Sequence, residues 1–460
     1  MDPQEARGAE LADGVVVGPN EGDVVSQAQL KAQLAEQVSV LLDGLDESPI
    51  EGRVDEAWYW AAPILFDLAD DRANWMTHKR LYLHSWLGGE AEGQSDDPES
   101  SFREHVELAH RVARGEVQLG RRPDDLVEVL VLQALGNPAT LALRALWRVL
   151  GDDGEDYAWD AACRIAWGFR TLFNLPEASS LIRYLHPDDA YWRSVLQYSA
   201  DGCLGAVLDE YIHCLKEWLG IVEINSWSDV NKIADECASA VSLKSADYVA
   251  KDHLRVSGEA EHRFRSRFAL RLGNERSESD ATVIRVGNVR TSFNSPFWPF
   301  VLASTSVGQE GLDFHLYCHA IVHWNLPSNP VDLEQREGRV HRFKGHAIRR
   351  NVAAAHADAA WASDGDRWEA MFDAAVAGTP GTSDLVPYWV YPGPSAIERH
   401  VLALPMSREV GQLSRLKKSV ALYRLVFGQP RQEDLIEYLA GIDDQAILDE
   451  LRIDLGPPVT

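Results

Sequence analysis

The sequence predicts an α/β lobe built on a parallel sheet, preceded by a large all-α region and followed by C-terminal helices. Three observations predict it. From Trp58 to about Gly220 apolar residues recur three or four apart, as at Leu126, Val129, Leu130 and again at Leu141, Leu143, Leu146, Leu150, the spacing of buried helix faces. After Gly220 short β-prone runs appear with helical segments between them: Thr282–Val286, Phe300–Ala303 and Ala320–Trp324. Strands alternating with helices imply βαβ units and a parallel sheet. Beyond Phe343 the helical period returns.

Taken in order, residues 1–50 form a polar lead and an amphipathic helix near Gln27–Leu45, ended by Gly44. Residues 51–220 form the all-α domain, with breaks at 90–100, at GNP (136–138), at GDDGED (151–156) and at HPDD (186–189), clusters that favour turns. Residues 221–355 form the α/β lobe, in which the charged stretch Ser257–Asp280 reads as a loop. Residues 356–460 form a helical extension, interrupted by Gly/Pro-rich 377–395 and by FGQP (427–430), where Gly428 closes one helix and Pro430 opens the next. A length of 460 residues suits two or three domains of roughly 100–200 residues each. No fixed-period repeat marks a solenoid.

Composition narrows the function classes. With 45% hydrophobic and 25% charged residues and 15 Trp, large cores can be buried. No basic leader with an apolar h-region stands at the start, and no run of about 18 apolar residues occurs, so a cytoplasmic protein with no membrane partner is expected. Five scattered cysteines without a CxxC pair argue against zinc ribbons and disulfide frameworks. A net charge of −27 excludes a protein that coats nucleic acid with its whole surface, although a local basic strip can still hold phosphate.

Two stretches carry chemistry. In the first, Val301 to Asp313, an apolar run leads into Ser304, Thr305 and Ser306 and then a turn punctuated by Gly308 and Gly311. The carboxyl end of a parallel strand is where such sheets place ligand loops, and small residues let backbone N–H groups approach phosphate. In the second, Asn325 to Arg342, Asn329 suits a helix N-cap and Pro330 the first helical position, with Asp332 and Glu334 in the first turn. A helix begun there places Gln335, Arg339 and Arg342 on one face, and Gly338 removes a side chain beside it. An amide and two guanidiniums projecting together suit a cluster of polyphosphate oxygens.

These stretches resemble motifs V and VI of superfamily-2 helicases, the second having the form QxxGRxxR in Gln335, Gly338, Arg339 and Arg342. NLPSNPVDLEQREGRVHR is most similar to the Swi/Snf-like bacterial branch, and FNSP (Phe293–Pro296) stands where that lobe has another short motif. The resemblance covers about 290–350 and implies the second, RecA-like lobe of an ATP-dependent helicase or translocase. It implies Arg339 and Arg342 as arginine fingers toward the γ-phosphate of ATP, and Gln335 as a positioner of phosphate or water. Gly311, Asp313 and Gly338 stand on the nucleotide side, and Ser304 and Thr305 on the nucleic-acid backbone, DNA in preference to RNA. ATP and Mg²⁺ are then held mainly by a first lobe. No GxxxxGK[ST] occurs in these 460 residues, so a protein or upstream segment carrying Walker A and motif II is the expected partner. Such helicases occur in bacterial DNA-processing and phage-defence clusters.

Plainer readings stand beside these. Arg339 and Arg342 can be surface arginines paired with Glu337 or Glu334. His341, Lys344, His346, Arg349 and Arg350 can be a nucleic-acid track or a solvated basic face. Asp209-Glu210-Tyr211-Ile212 has the letters of motif II, but its context is an amphipathic helix, whereas the motif follows a buried strand. His315, His319 and His323 fall on a loop and a strand, which disfavours a metal site. Two other function classes remain: an ATPase-silent scaffold derived from a helicase lobe, and a passive nucleic-acid-binding module indifferent to nucleotide.

Overall fold

The computed structural model describes residues 26–45, 51–74, 98–150, 155–222, 224, 226–242, 246–251, 261–266, 290–303, 313–379, 384–402 and 408–425. The chain divides into two compact units, one of Met1–Arg267 with Ala360–Ala370 and the other of Phe268–Ala359 with Met371–Thr460.

The first unit is helical. Its helices are α1 (Gln27–Asp43), α2 (Trp58–Asn74), α3 (Pro98–Ala113), α4 (Leu126–Gly136), α5 (Pro138–Leu150), α6 (Glu155–Phe173), α7 (Pro176–Leu185), α8 (Tyr191–Asp201), α9 (Leu204–Trp218) and α10 (Trp227–Val241). Ser26 starts α1 with a reciprocal capping box to Gln29, and Gly44 caps its end. Leu34, Val38 and Leu42 of α1 pack with Trp58, Ala62 and Phe66 of α2 and Leu126, Leu130 and Val131 of α4 in one buried cluster. The break at GNP is a bend. Asn137 Oδ1 accepts from the Ala139 N–H at 2.9 Å and Pro138 opens α5. Gly136 lets the backbones touch there, because a Cβ on it would stand 2.1 Å from the Leu196 carbonyl of α8. Gly168 plays the same part between α6 and α10, beside Ala238 and Val241, so the helical body runs on past residue 220. Among the described residues no single helix is long and apolar enough to cross a membrane, and only α4 and α5 taken together, bent by 46°, have the length and composition.

The stretch expected as a charged loop contains a strand. β1 (Ala246–Lys251) and β2 (Glu261–Ser266) pair antiparallel, Tyr248 opposite Phe264 and Val249 opposite Arg263.

In the second unit the elements are β3 (Ala320–His323), α11 (Pro330–Gly338), α12 (His346–Trp361), α13 (Arg367–Gly378), β4 (Glu398–Val401) and α14 (Glu409–Leu425). The first turns of α13 and the end of α12 fall within Ala360–Ala370. β3 pairs in parallel with β4, Ala320 opposite Glu398 and His323 opposite Val401. Two expectations are corrected here. Phe300–Ala303, a β-prone run expected as a strand of the parallel sheet, has no regular structure, and Phe300 and Val301 are 70% and 83% exposed. β3 finds its described partner in the region read as wholly helical, and it is only partly buried, Val322 being exposed. The Thr282–Val286 run lies outside the described residues. Leu326 and Leu333 form a small core with Leu416 of α14, flanked by Val401 and Leu413.

Candidate functional site

The helix expected from Asn329 and Pro330 forms as read. Asn329 Oδ1 accepts from the Val331 N–H at 2.9 Å, Pro330 occupies the first turn and Asp332 faces the helix's positive end. It ends sooner than the spacing argument requires. Gly338 is its last residue and Arg339 its C-cap, so Gln335, Arg339 and Arg342 do not share one helix. The physical cause is a long-range bond. The Arg339 carbonyl accepts from the Phe314 N–H at 3.0 Å, and the chain then turns through Lys344, at φ +47°, into α12. Glycine is also a weak helix former at the last helical position.

The same bond brings the two sequence motifs together. Arg342 Nε donates to Asp313 Oδ1 at 3.2 Å, with the two side chains 45% and 40% exposed. Asn294 of FNSP, itself buried, donates from Nδ2 to the Asp313 carbonyl at 2.8 Å, and Phe293 meets Phe314 edge to face at 5.5 Å. FNSP is thus the clasp that holds the end of the motif V segment, a role its letters did not reveal. Gln335 is exposed and Arg339 half-buried. Ser304, Thr305 and Gly311 lie outside the described residues.

Gly338 opens on space, since a Cβ there would meet nothing within 4 Å. It borders a cleft of about 390 Å³ with Ile321, Glu334, Glu337, His341, Glu398 and neighbouring residues. Neither Arg339 nor Arg342 lines it, and its carboxylates give it the wrong sign for phosphate. At its wall Glu337 accepts from both Nε and Nη2 of Arg399, on β4, and lies 3.2 Å from His323 Nε2 on β3. Burial works to raise the Glu337 carboxyl, but the hydrogen bonds from His323 and Arg399 outweigh it and hold it at about 2, against an ordinary 4.5. This ion pair ties α11 to both strands, and sequence reasoning missed it because Arg399 lies 62 residues away. A depressed carboxylate contributes stability that is present above its unfolded value and lost as pH falls toward the folded one. Glu337→Gln is therefore expected to destabilise at pH 6 and progressively less between pH 4.5 and 3. Paired thermal melts check this, and a gap that widens on acidification contradicts it.

The basic cluster after the motif divides. Arg349 is fully buried, donating to the carbonyls of Lys344 (2.8 Å) and Leu316, with its guanidinium 5.1 Å from the Tyr317 ring centroid. Lys344 is buried, its Nζ 4.2 Å from the Phe372 ring centroid. His346 is half-buried, held at about 4 by burial and by the charges of Arg349, His319 and Arg350. Only His341 and Arg350 are exposed, so the five do not form one track or one solvated face.

The motif II letters sit in α9, where Asp209 is buried between Arg148 at 2.8 Å and Arg367 at 3.2 Å. Burial raises its carboxyl against the pull of those two arginines. Beside it His213 Nδ1 lies 2.8 Å from Asp366. Among the described residues no group of three or more His, Cys, Asp or Glu can hold a metal ion. Guanidiniums and an amide fit phosphate oxygens, whereas Mg²⁺ wants carboxylate and water oxygens, and Asp313 is engaged by Arg342.

No curated protein and no solved structure matches the chain. Residues 287–344, from just before FNSP to just past Arg342, match the family model for the helicase conserved C-terminal domain, and over that span the chain carries a helicase-type C-terminal domain.

Proposed function

We propose that this domain is the second lobe of a Swi/Snf-like, superfamily-2 translocase or helicase and supplies the phosphate-facing arginines of a nucleic-acid-dependent ATPase. The observation that supports the reading most is the convergence of Asp313, Arg339 and Arg342: two ordered motifs, 26 and 29 residues apart, meet at one edge of the lobe, and Arg342 remains half open to solvent. A finger must reach a phosphate held by another lobe, so it cannot be buried in its own core.

In this reading ATP and Mg²⁺ are bound chiefly by a first RecA-like lobe, in a partner protein or in a segment outside these 460 residues. Arg339 and Arg342 stabilise the charge that develops on the transferred phosphoryl oxygens, and Gln335 orients the phosphate or the attacking water. Ser304 and Thr305 contact the nucleic-acid backbone, DNA before RNA. Arg342 leaves Asp313 for the phosphate, exchanging one exposed ion pair, which contributes under about 1 kcal/mol, for a charge-assisted contact. The same ion pair also favours a second reading, an ATPase-silent scaffold in which the arginine simply serves its own lobe.

The purified chain is expected to hydrolyse no ATP above background, with or without nucleic acid, because no GxxxxGK[ST] loop to hold the β- and γ-phosphates occurs in these 460 residues. Turnover that survives repurification and disappears in Arg339→Ala overturns the split-cleft reading. Turnover that appears only on adding a first lobe separates it from the scaffold.

A further inference from the structure

We infer that a single-stranded nucleic acid is held at a second place on this lobe, with a base stacked on Trp324 and the backbone along the basic face of α14. The inference rests on the nucleic-acid-dependent reading above and names residues that no helicase motif in the chain includes.

Trp324 follows directly on the carboxyl end of β3 and is 79% exposed. An indole is the largest apolar side chain, and leaving it in water forgoes burial that a core position would supply. The carboxyl edge of a parallel strand is also where α/β sheets meet their ligands. The loop carrying Trp324 is well anchored. Leu326 N–H donates to Glu409 at 3.1 Å, Gln412 Nε2 donates to the Pro327 carbonyl at 3.0 Å, and Leu326 packs with Leu413 and Leu416. An exposed aromatic on a fixed loop is a platform rather than a mobile tip.

Those anchors all come from α14, and they set its first two turns two or three residues from Trp324. With Glu409 and the leucines turned to the loop, exposed Arg408 and Arg415, seven residues apart, and half-buried Lys418 three residues on share one flank of the helix, while exposed Lys417 stands on the other flank. From Arg408 to Leu425 there are five basic residues and one acidic one, Glu409, in a chain with 71 acidic and 44 basic residues. A basic strip next to an exposed ring is the combination that binds single strands: the charge follows the phosphates, and the ring takes any base by its π-face. A duplex keeps its bases stacked on one another and cannot offer one to Trp324, which selects the single strand.

The test is fluorescence polarisation of a labelled oligothymidylate with the whole chain, over a salt series. Trp324→Ala is expected to weaken binding about tenfold and Trp324→Phe to retain most of it. Arg408→Gln combined with Arg415→Gln is expected to flatten the slope of log K against log salt by about 1.4, at about 0.7 per phosphate contact on single strands. Both sites are exposed, so melting curves should be unchanged. Wild-type binding that is indifferent to Trp324→Ala, or equal for a duplex, overturns this inference and leaves the ATPase reading standing. Absence of any binding by wild type removes both.

Discussion

When the chain is supplied with a first RecA-like lobe, Arg342→Ala is expected to lower kcat for nucleic-acid-stimulated ATP hydrolysis by about 10³-fold or more, and Arg339→Ala by a similar factor. The size follows from where the charge acts. A guanidinium that meets the γ-phosphate only as negative charge spreads onto its oxygens lowers the barrier and not merely KM. Arg342 can make that move because it is 45% exposed and, among the described residues, its guanidinium is held by the exposed Asp313. Its loss from the folded lobe should cost under about 1 kcal/mol, the ordinary worth of an exposed ion pair. Asp313→Asn keeps the arginine and removes its internal partner, so it separates release of the finger from its chemistry. Steady-state kinetics with a melting curve on each variant decide the matter. If Arg342→Ala unfolds the lobe, or leaves kcat untouched in an active complex, the finger assignment fails.

Asp209→Ala is expected to act in the opposite way, on stability and not on turnover. Its carboxylate lies between Arg148 and Arg367 at 2.8 and 3.2 Å with almost no exposure, so removing it leaves two guanidiniums facing each other. Breaking a buried pair from one side costs about 3–5 kcal/mol. Arg367 is 30% exposed and can partly rehydrate, which places the loss near the lower figure. For a unit of this size about 3 kcal/mol lowers Tm by roughly 6–12 °C. Calorimetry should show the shift, with hydrolysis per folded molecule preserved in the completed ATPase. Loss of Mg²⁺-dependent turnover with an unchanged melting curve would return Asp209 to the role that its DEYI letters, though not their helical context, suggest.

Features governed by neighbours within a few residues were legible. Gly44 closes α1, Asn137 and Pro138 mark the α4–α5 bend, and Asn329 with Pro330 opens α11. Caps and turns depend on side chains satisfying backbone groups one to three residues away, so the letters in order contain them. The QxxGRxxR order was legible for a related reason, since it lies in a contiguous stretch, and residues 287–344 match the helicase conserved C-terminal domain.

Features that join distant residues were not. β3 pairs with β4 across 78 residues, and a strand of four residues has no independent stability that would announce its partner. Phe300–Ala303 has a strand's composition and remains exposed, since composition records a preference and pairing realises it. Arg342 reached Asp313 because the Phe314 N–H claims the Arg339 carbonyl, which no helical spacing encodes. Arg349 and Asp209, charged and therefore expected on the surface, are buried because carbonyls or opposite charges from distant segments meet them there. The sequence by itself determined the local starts and stops of the helices and the residue types that the helicase-type domain carries. Tertiary structure alone decided which strands pair, which cations stay exposed to act and which are buried to hold the fold, because desolvation and pairing energies depend on what packs nearby in space.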